Sequence, residues 1–217
     1  TGDGADELFG GYNRYTLTDK YWLKIKNKPI LLRKILKSMS TKLSERSWDR
    51  ISSVFSKTLT NYNIEMLGNK MYKASNFLDC QNDIEFYEKL VFIEQETDLI
   101  LNEHEEHQFF KSHYSSFLHI KNPTELIMAL DQSITLTSQI LTKVDRATMS
   151  NSLESRIPFL DHKVVEFASS LPIEYKILNG NGKRIVKDIL YKYIPEKYFS
   201  RPKRGFGVPV DEWLRGD

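Results

Sequence analysis

Two glycines and three carboxylates crowd into the stretch Thr1-Gly2-Asp3-Gly4-Ala5-Asp6-Glu7. Glycine tolerates positive φ and lets a backbone come close to a ligand. Asp6 and Glu7 read as the start of a helix running on through Leu8 and Phe9. Free N–H groups at a helix start attract anions, phosphate foremost. Carboxylates beside phosphate repel it unless a cation lies between. Mg²⁺ suits that place, because one or two carboxylates plus phosphate oxygens hold it. The stretch therefore fits a Mg-nucleotide or Mg-pyrophosphate. It also fits a tight turn with Asp6 as the cap of the helix. Gly10-Gly11 reads as a turn or helix break.

Other residues could carry chemistry. Lys183, Arg184 and Lys187 open a helix after Asn179-Gly180-Asn181-Gly182, where they could touch phosphate or form a solvated helix start. Lys203, between Arg201 and Arg204 in a Pro/Gly-rich loop, reads alone as a solvated turn lysine or a generic anion site. His104 and His107 lie one helical turn apart among Glu103, Glu105 and Glu106. That spacing could hold a divalent metal, but it equally describes an exposed acidic helix with no second ligand pair. Asp145, Arg146, Glu154, Arg156 and Asp161 alternate in sign within an apolar context. Buried charges persist only when paired, so a structural ion-pair network supporting the pocket is expected there, with Asp145 or Arg146 near substrate as the other reading.

The elements that must position these residues read as mainly helical. Ile84, Tyr87, Leu90 and Val91 recur at a three-four rhythm, as do Ile134, Leu136, Ile140, Leu141 and Val144. Val164, Val165, Phe167 and Ala168 mark a further helix, and Ile185, Ile189, Leu190 and Tyr193 another. Pro123, Pro158, Pro172, Pro195, Pro202 and Pro209 sit where helices should start or stop. Alternating strand patterns are scarce. Lys20 to Lys57 carries 11 basic and 2 acidic residues, and Asp83 to Glu106 carries 9 acidic and 1 basic. Two solvated helical faces, facing each other, account for such blocks, and docking of a partner or further domain is the alternative.

Composition bounds the function. The 217 residues suffice for a sizeable core. A net charge of +2 excludes a general nucleic-acid binder. No apolar run is long enough to cross a bilayer. Cys80 is the single cysteine, which leaves no internal disulfide and fits a cytoplasmic setting. With no initiator Met before the Thr1 motif, the sequence reads as a piece of a longer protein.

Three stretches carry a family resemblance. Thr1 to Tyr15, TGDGADELFGGYNRY, resembles the asparagine synthetase motif S-G-x-G-x-D-E-[LV]-F-G-G-Y. Leu141-Thr142-Lys143-Val144-Asp145-Arg146-Ala147-Thr148-Met149, followed by Leu153 to His162, is similar to that family's L-T-K-V-D-R-A-[ST]-M and [LV]-E-[AS]-R-[VI]-P-F-L-D. Gly182-Lys183 through Ile189, then Arg201 to Pro209, forms the third. The matches occur in family order, while about residues 20 to 130 are only weakly alike.

The resemblance implies an ATP-dependent, AMP-forming synthesis of asparagine from aspartate through β-aspartyl-AMP, with ammonia from glutamine. Its cofactors would be ATP and Mg²⁺, and the intact protein leaves room for a homodimer. The resemblance implies that Thr1, Gly2 and Gly4 line the nucleotide or substrate pocket. Asp3 would accept a proton in the amination step. Asp6 would contact Mg²⁺ or the aspartate amino group. Lys203 would steady the negative charge that develops during adenylation, as a fixed ammonium facing an α-phosphate does. The implied fold is the helical C-terminal part of an α/β ATP-pyrophosphatase (adenine nucleotide alpha hydrolase-like) synthetase domain, holding its last strand edge at most. Residues 1–217 would be a fragment of that domain, without the upstream SGGxDS loop and glutaminase domain, and inactive by itself. One departure bears on substrate: the family often has an acid just before the Ile-Leu-Thr-Lys stretch, where this sequence has Ser138 and Gln139. A ligase with another acceptor, or a non-catalytic helical module, are the competing readings.

Overall fold

The computed structural model describes residues 1–42, 47, 74–91, 114–199 and 209–216. It divides into two units, Thr1–Arg184 and Ile185–Asp217.

The first unit is mainly helical, as the periodicity predicts. Its backbone element begins at Pro123. Asn122 caps it, its side-chain oxygen accepting from the amides of Thr124 (2.8 Å) and Glu125 (3.3 Å). Pro123 occupies the first turn, where its missing N–H costs nothing. Helix α6 (Pro123–Leu130) then widens into a π-helical stretch, Asp131–Leu141, and returns to α-helix as α7 (Thr142–Met149) without a break. The widening has a local cause. The hydroxyls of Thr137 and Ser138 donate to the carbonyls four residues back, Ser133 (2.6 Å) and Ile134 (2.5 Å). Such back-bonding competes with the amide for the carbonyl and favours the looser register. Thr18 does the same to Arg14 (2.7 Å) at the head of the second π stretch, Thr18–Trp22, which runs on into the short α3 (Leu23–Ile25).

Leu126, Ile127, Leu130 and Ile134 from this rod meet Tyr15, Trp22, Phe86 and Tyr87 in one core. Tyr15 comes from α2 (Asn13–Leu17), and Phe86 and Tyr87 from α5 (Asp83–Val91). Trp22 stacks on Phe86, centroids 4.4 Å apart and 5° from parallel, and its indole N–H donates to Asp83 at 2.7 Å. Buried indoles need such a partner. Cys80 is fully buried in the same core, and burial pushes its thiol up to about 12.

Where they are described, the two oppositely charged blocks meet through Lys26, which pairs with Asp83 at 3.1 Å. Lys37, on α4 (Ile30–Lys42), pairs instead with Asp79, ahead of the acidic block, at 2.7 Å. Arg33, only 5% exposed, donates to the carbonyls of Cys80 (2.6 Å) and Lys28 (3.1 Å). The acidic residues from 92 to 106, with His104 and His107, lie outside the described residues.

After α8 (His162–Ser170) and the short α9 (Ile173–Lys176), the chain makes one antiparallel hairpin, Ile177–Leu178 with Asn181–Gly182. Asn179 and Gly180 turn it with φ of 51° and 77°, the left-handed pair that a two-residue hairpin loop requires. In the second unit, most of α10 (Arg184–Leu190), a 3₁₀ turn at Glu196–Tyr198 and α11 (Val210–Arg215) are described. Pro158, Pro172, Pro195 and Pro209 each open or cap a helical segment, as expected. Pro202 lies outside the described residues.

Candidate active site

Helix α1 (Ala5–Phe9) is where the expected site is built. Its cap is Gly4, at φ 82°, and no side chain caps it, so the reading of Asp6 as a helix cap is overturned. Glycine is needed at Gly4 twice over: the backbone is left-handed, and an added Cβ would sit 2.5 Å from a Leu160 methyl. Gly10, at φ 72°, ends the helix as the expected break.

Three stretches distant in sequence meet on this short helix. Phe9 packs edge-on against Phe159, with centroids 6.0 Å apart. The Thr1 nitrogen donates to the Arg156 carbonyl at 2.7 Å. From the third stretch, the Lys183 amide donates to the Phe9 carbonyl at 2.9 Å, and the Lys183 ammonium lies 3.0 Å from Asp6 Oδ2. Lys183 is therefore tied to Asp6, and the solvated helix start read for it is corrected. The closeness depends on small residues. A Cβ on Gly11 would collide with Asp6 Oδ1 and Lys183 Cε, and one on Gly182 would collide with the Gly10 carbonyl oxygen.

Asp3 and Asp6 are both part-exposed, and Thr1 and Gly2 are exposed. Lys203, Arg201 and Arg204 lie outside the described residues. Glu7 was not singled out by its spacing. It is 1% exposed, its Oε1 accepts from the Tyr12 hydroxyl at 2.6 Å, and its Oε2 finds no partner among the described residues. Burial first, and then the Glu7 carboxylate, drive the Tyr12 hydroxyl's pKa strongly upward.

Behind the site lies a buried ion pair that sequence reasoning missed. Asp131, fully buried where the rod turns from α to π, accepts from Arg14 Nε at 2.7 Å. Its other oxygen accepts from the hydroxyls of Tyr87 and Thr135, each at 3.1 Å. Burial alone would lower the Arg14 guanidinium's pKa, but Asp131 and Tyr15 together outweigh it and raise it. Arg14 also stacks 4.4 Å over Tyr12, which reaches Glu7. Gln132, the next residue on the rod, donates to the Glu7 carbonyl at 3.2 Å. The signal for Asp131 was a lone acid inside the apolar run from Leu126 to Leu136.

The expected network of Asp145, Arg146, Glu154, Arg156 and Asp161 is not buried. All five are exposed. Helix α7 has no buried residue, because it runs past the core. Only Glu154 and Arg156 pair with each other, and Asp161 caps α8 through the Lys163 amide at 2.9 Å.

A Mg²⁺ carried with a nucleotide takes one or two protein carboxylates and fills its shell with phosphate and water oxygens. The donor set at α1 suits that in kind: part-exposed Asp3 and Asp6 flank the glycine cap in sequence. Among the described residues no group of three or more His, Cys, Asp or Glu gathers to cage a metal by protein ligands alone.

The profile of the family described as asparagine synthase matches residues 1–217. The chain belongs to the asparagine synthase family. Asparagine synthetase [glutamine-hydrolyzing] 1 of Bacillus subtilis (strain 168) is 31% identical over 220 residues, covering 100% of this chain and 31% of that protein. A putative asparagine synthetase [glutamine-hydrolyzing] of Mycobacterium tuberculosis (strain ATCC 25618 / H37Rv) is 40% identical over 94 residues, 43% of this chain and 14% of its own. Asparagine synthetase [glutamine-hydrolyzing] of Homo sapiens is 37% identical over 67 residues, 30% of this chain and 12% of its own. The chain thus spans less than a third of the length of these relatives. No solved structure matches it. Among the described residues, no helix is long and apolar enough to cross a membrane.

Proposed function

We propose that this chain serves, within the intact protein, in ATP-dependent synthesis of asparagine from aspartate. The observation that carries the reading is the meeting of three family-like stretches at α1: Thr1 to Phe9, Arg156 to Leu160, and Lys183. Residues that merely resembled a family motif by chance would have no reason to converge.

In this reading the aspartate side-chain carboxylate attacks the α-phosphorus of ATP, and the bond to the bridging oxygen breaks to release pyrophosphate. Ammonia, delivered from glutamine by a glutaminase domain, then attacks the acyl carbon of β-aspartyl-AMP, and AMP leaves. Bound Mg²⁺ would neutralise phosphate charge. Thr1, Gly2 and Gly4 line the pocket, where an exposed, Cβ-free backbone at Gly2 admits a ligand closely. Asp3 accepts a proton from the attacking ammonia. Asp6 meets the cation or the aspartate amino group. Lys203 steadies the charge that builds on the α-phosphate. The helical unit would complete an ATP-pyrophosphatase fold in a cytoplasmic enzyme that leaves room for a homodimer.

One observation favours a second acceptor. Ser138 and Gln139, in place of the family's acid, are both exposed on the π stretch, so an amide ligase acting on something other than aspartate is the alternative. The test is AMP release from ATP and Mg²⁺ by the intact gene product with ammonium supplied, with and without aspartate. Release that needs aspartate and disappears in Lys203→Ala supports the synthetase. ATP binding without aspartate-dependent release favours the other acceptor. Failure to bind ATP removes the enzyme reading.

A further inference from the structure

The Asp6–Lys183 contact is more constrained than an ordinary surface ion pair. Lys183 adopts φ 57°, the left-handed region that disfavours side chains other than glycine. Backbone held in such a state persists only where its surroundings over-determine it. Here they do so from three sides. The Lys183 amide is bonded to Phe9, Gly182 lies against the Gly10 carbonyl, and Gly11 gives the clearance in which the lysine stem reaches Asp6. Both side chains are about a quarter exposed, 29% for Lys183 and 26% for Asp6. The strained turn thus places an ammonium on the Asp6 carboxylate, beside Gly11.

We propose that Lys183 is a positioning residue that competes with a divalent cation for Asp6. This rests on the reading of Asp6 as a cation-contacting residue. A cation arriving at Asp6 meets the ammonium already 3.0 Å from Oδ2, and the repulsion between two positive charges on one carboxylate opposes its binding. Lys183 therefore weakens cation binding at Asp6.

The test uses Mn²⁺ alone as the probe, titrated into the intact gene product and read by the EPR signal of free Mn²⁺. Asp6→Asn first identifies the class of Mn²⁺ that depends on Asp6. Lys183→Met removes the charge and keeps the stem. It should tighten that class about fivefold, the factor of a part-exposed ion pair. Lys183→Gly, which also relieves the left-handed backbone, should do the same and guards against a folding defect in the Met variant. Lys183→Arg should bind Mn²⁺ as the wild type does. If Asp6→Asn leaves Mn²⁺ binding unchanged, the cation reading of Asp6 falls, and this inference with it. If Asp6→Asn weakens binding but both charge-removing variants leave it unchanged or weaker, the competition by Lys183 is refuted and the role of Asp6 stands.

Discussion

The buried Arg14–Asp131 pair offers the sharpest test of how this unit holds together. Asp131 is fully enclosed and accepts three hydrogen bonds, one of them from a cation at 2.7 Å. Replacing it with Ala leaves a largely buried guanidinium without its counter-charge and two hydroxyls without their acceptor. Breaking a buried pair in this way costs about 3–5 kcal/mol, a large part of the ~5–15 kcal/mol that stabilises a typical domain. Arg14→Met should cost at least as much, because Asp131 has no exposure through which to regain water, whereas Arg14 is 22% exposed. Replacing both, as Arg14→Met with Asp131→Leu, removes the charges together and should restore much of the loss. Hydrogen exchange in the intact gene product reads this locally: amides of the Leu126–Ile134 segment should exchange roughly 100-fold or more faster in either single variant. The double variant should lie closer to wild type than either single one. Single variants within about threefold of wild type, or a double variant as damaging as the two losses added, would refute the claim that the pair is coupled and desolvated.

Asp79 gives a pH prediction. Its part-burial would raise the carboxyl, but the ammoniums of Lys37 (2.7 Å) and Lys89 (2.9 Å) outweigh it and hold it at about 2. A depressed carboxyl contributes stability above its unfolded value of 3.8 and loses it as pH falls toward about 2. Because the pair is partly solvated, the contribution is about 1 kcal/mol, and acid unfolding curves of wild type and Asp79→Asn should converge between those two pH values. Gly182→Ala should separate the hairpin from α1, since the new Cβ meets a backbone oxygen that cannot swing aside. A destabilisation of about 1–3 kcal/mol is expected, together with faster exchange of the Lys183 amide that bonds Phe9.

Much of the scaffold was legible because its signals are local. Asn122-Pro123 is a cap and first-turn pair, the prolines punctuate, and Val164, Val165, Phe167 and Ala168 do mark a helix. The meeting of the basic and acidic blocks at Lys26 and Asp83 was legible from charge alone. The π stretches were not, because apolar periodicity says which face is buried but not whether hydroxyls such as Thr137 and Ser138 will take the carbonyls. The site was half legible. Asp6 and the glycines stood out by type and spacing, while Lys183 could not be joined to Asp6 without knowing that the Asn179-Gly180 turn folds it back onto α1. The charged residues from Asp145 to Asp161 misled because apolar neighbours were taken as burial, whereas α7 leaves the core behind. Asp131, with its partner Arg14 far away in sequence, was the true buried charge.

The widened stretch Asp131–Leu141 also bears on how this chain can vary over evolutionary time. An α-helix usually absorbs one inserted residue by bulging into π geometry, so a wide segment is where a rod can gain or shed a residue without snapping. Shedding one there would tighten the coil and swing everything downstream through about 100°. Thr142–Met149 would then present a different flank, although none of its own residues had changed. Sequence length between Asp131 and Thr142, rather than residue identity alone, thus sets which flank the Lys143-Val144-Asp145-Arg146 motif presents.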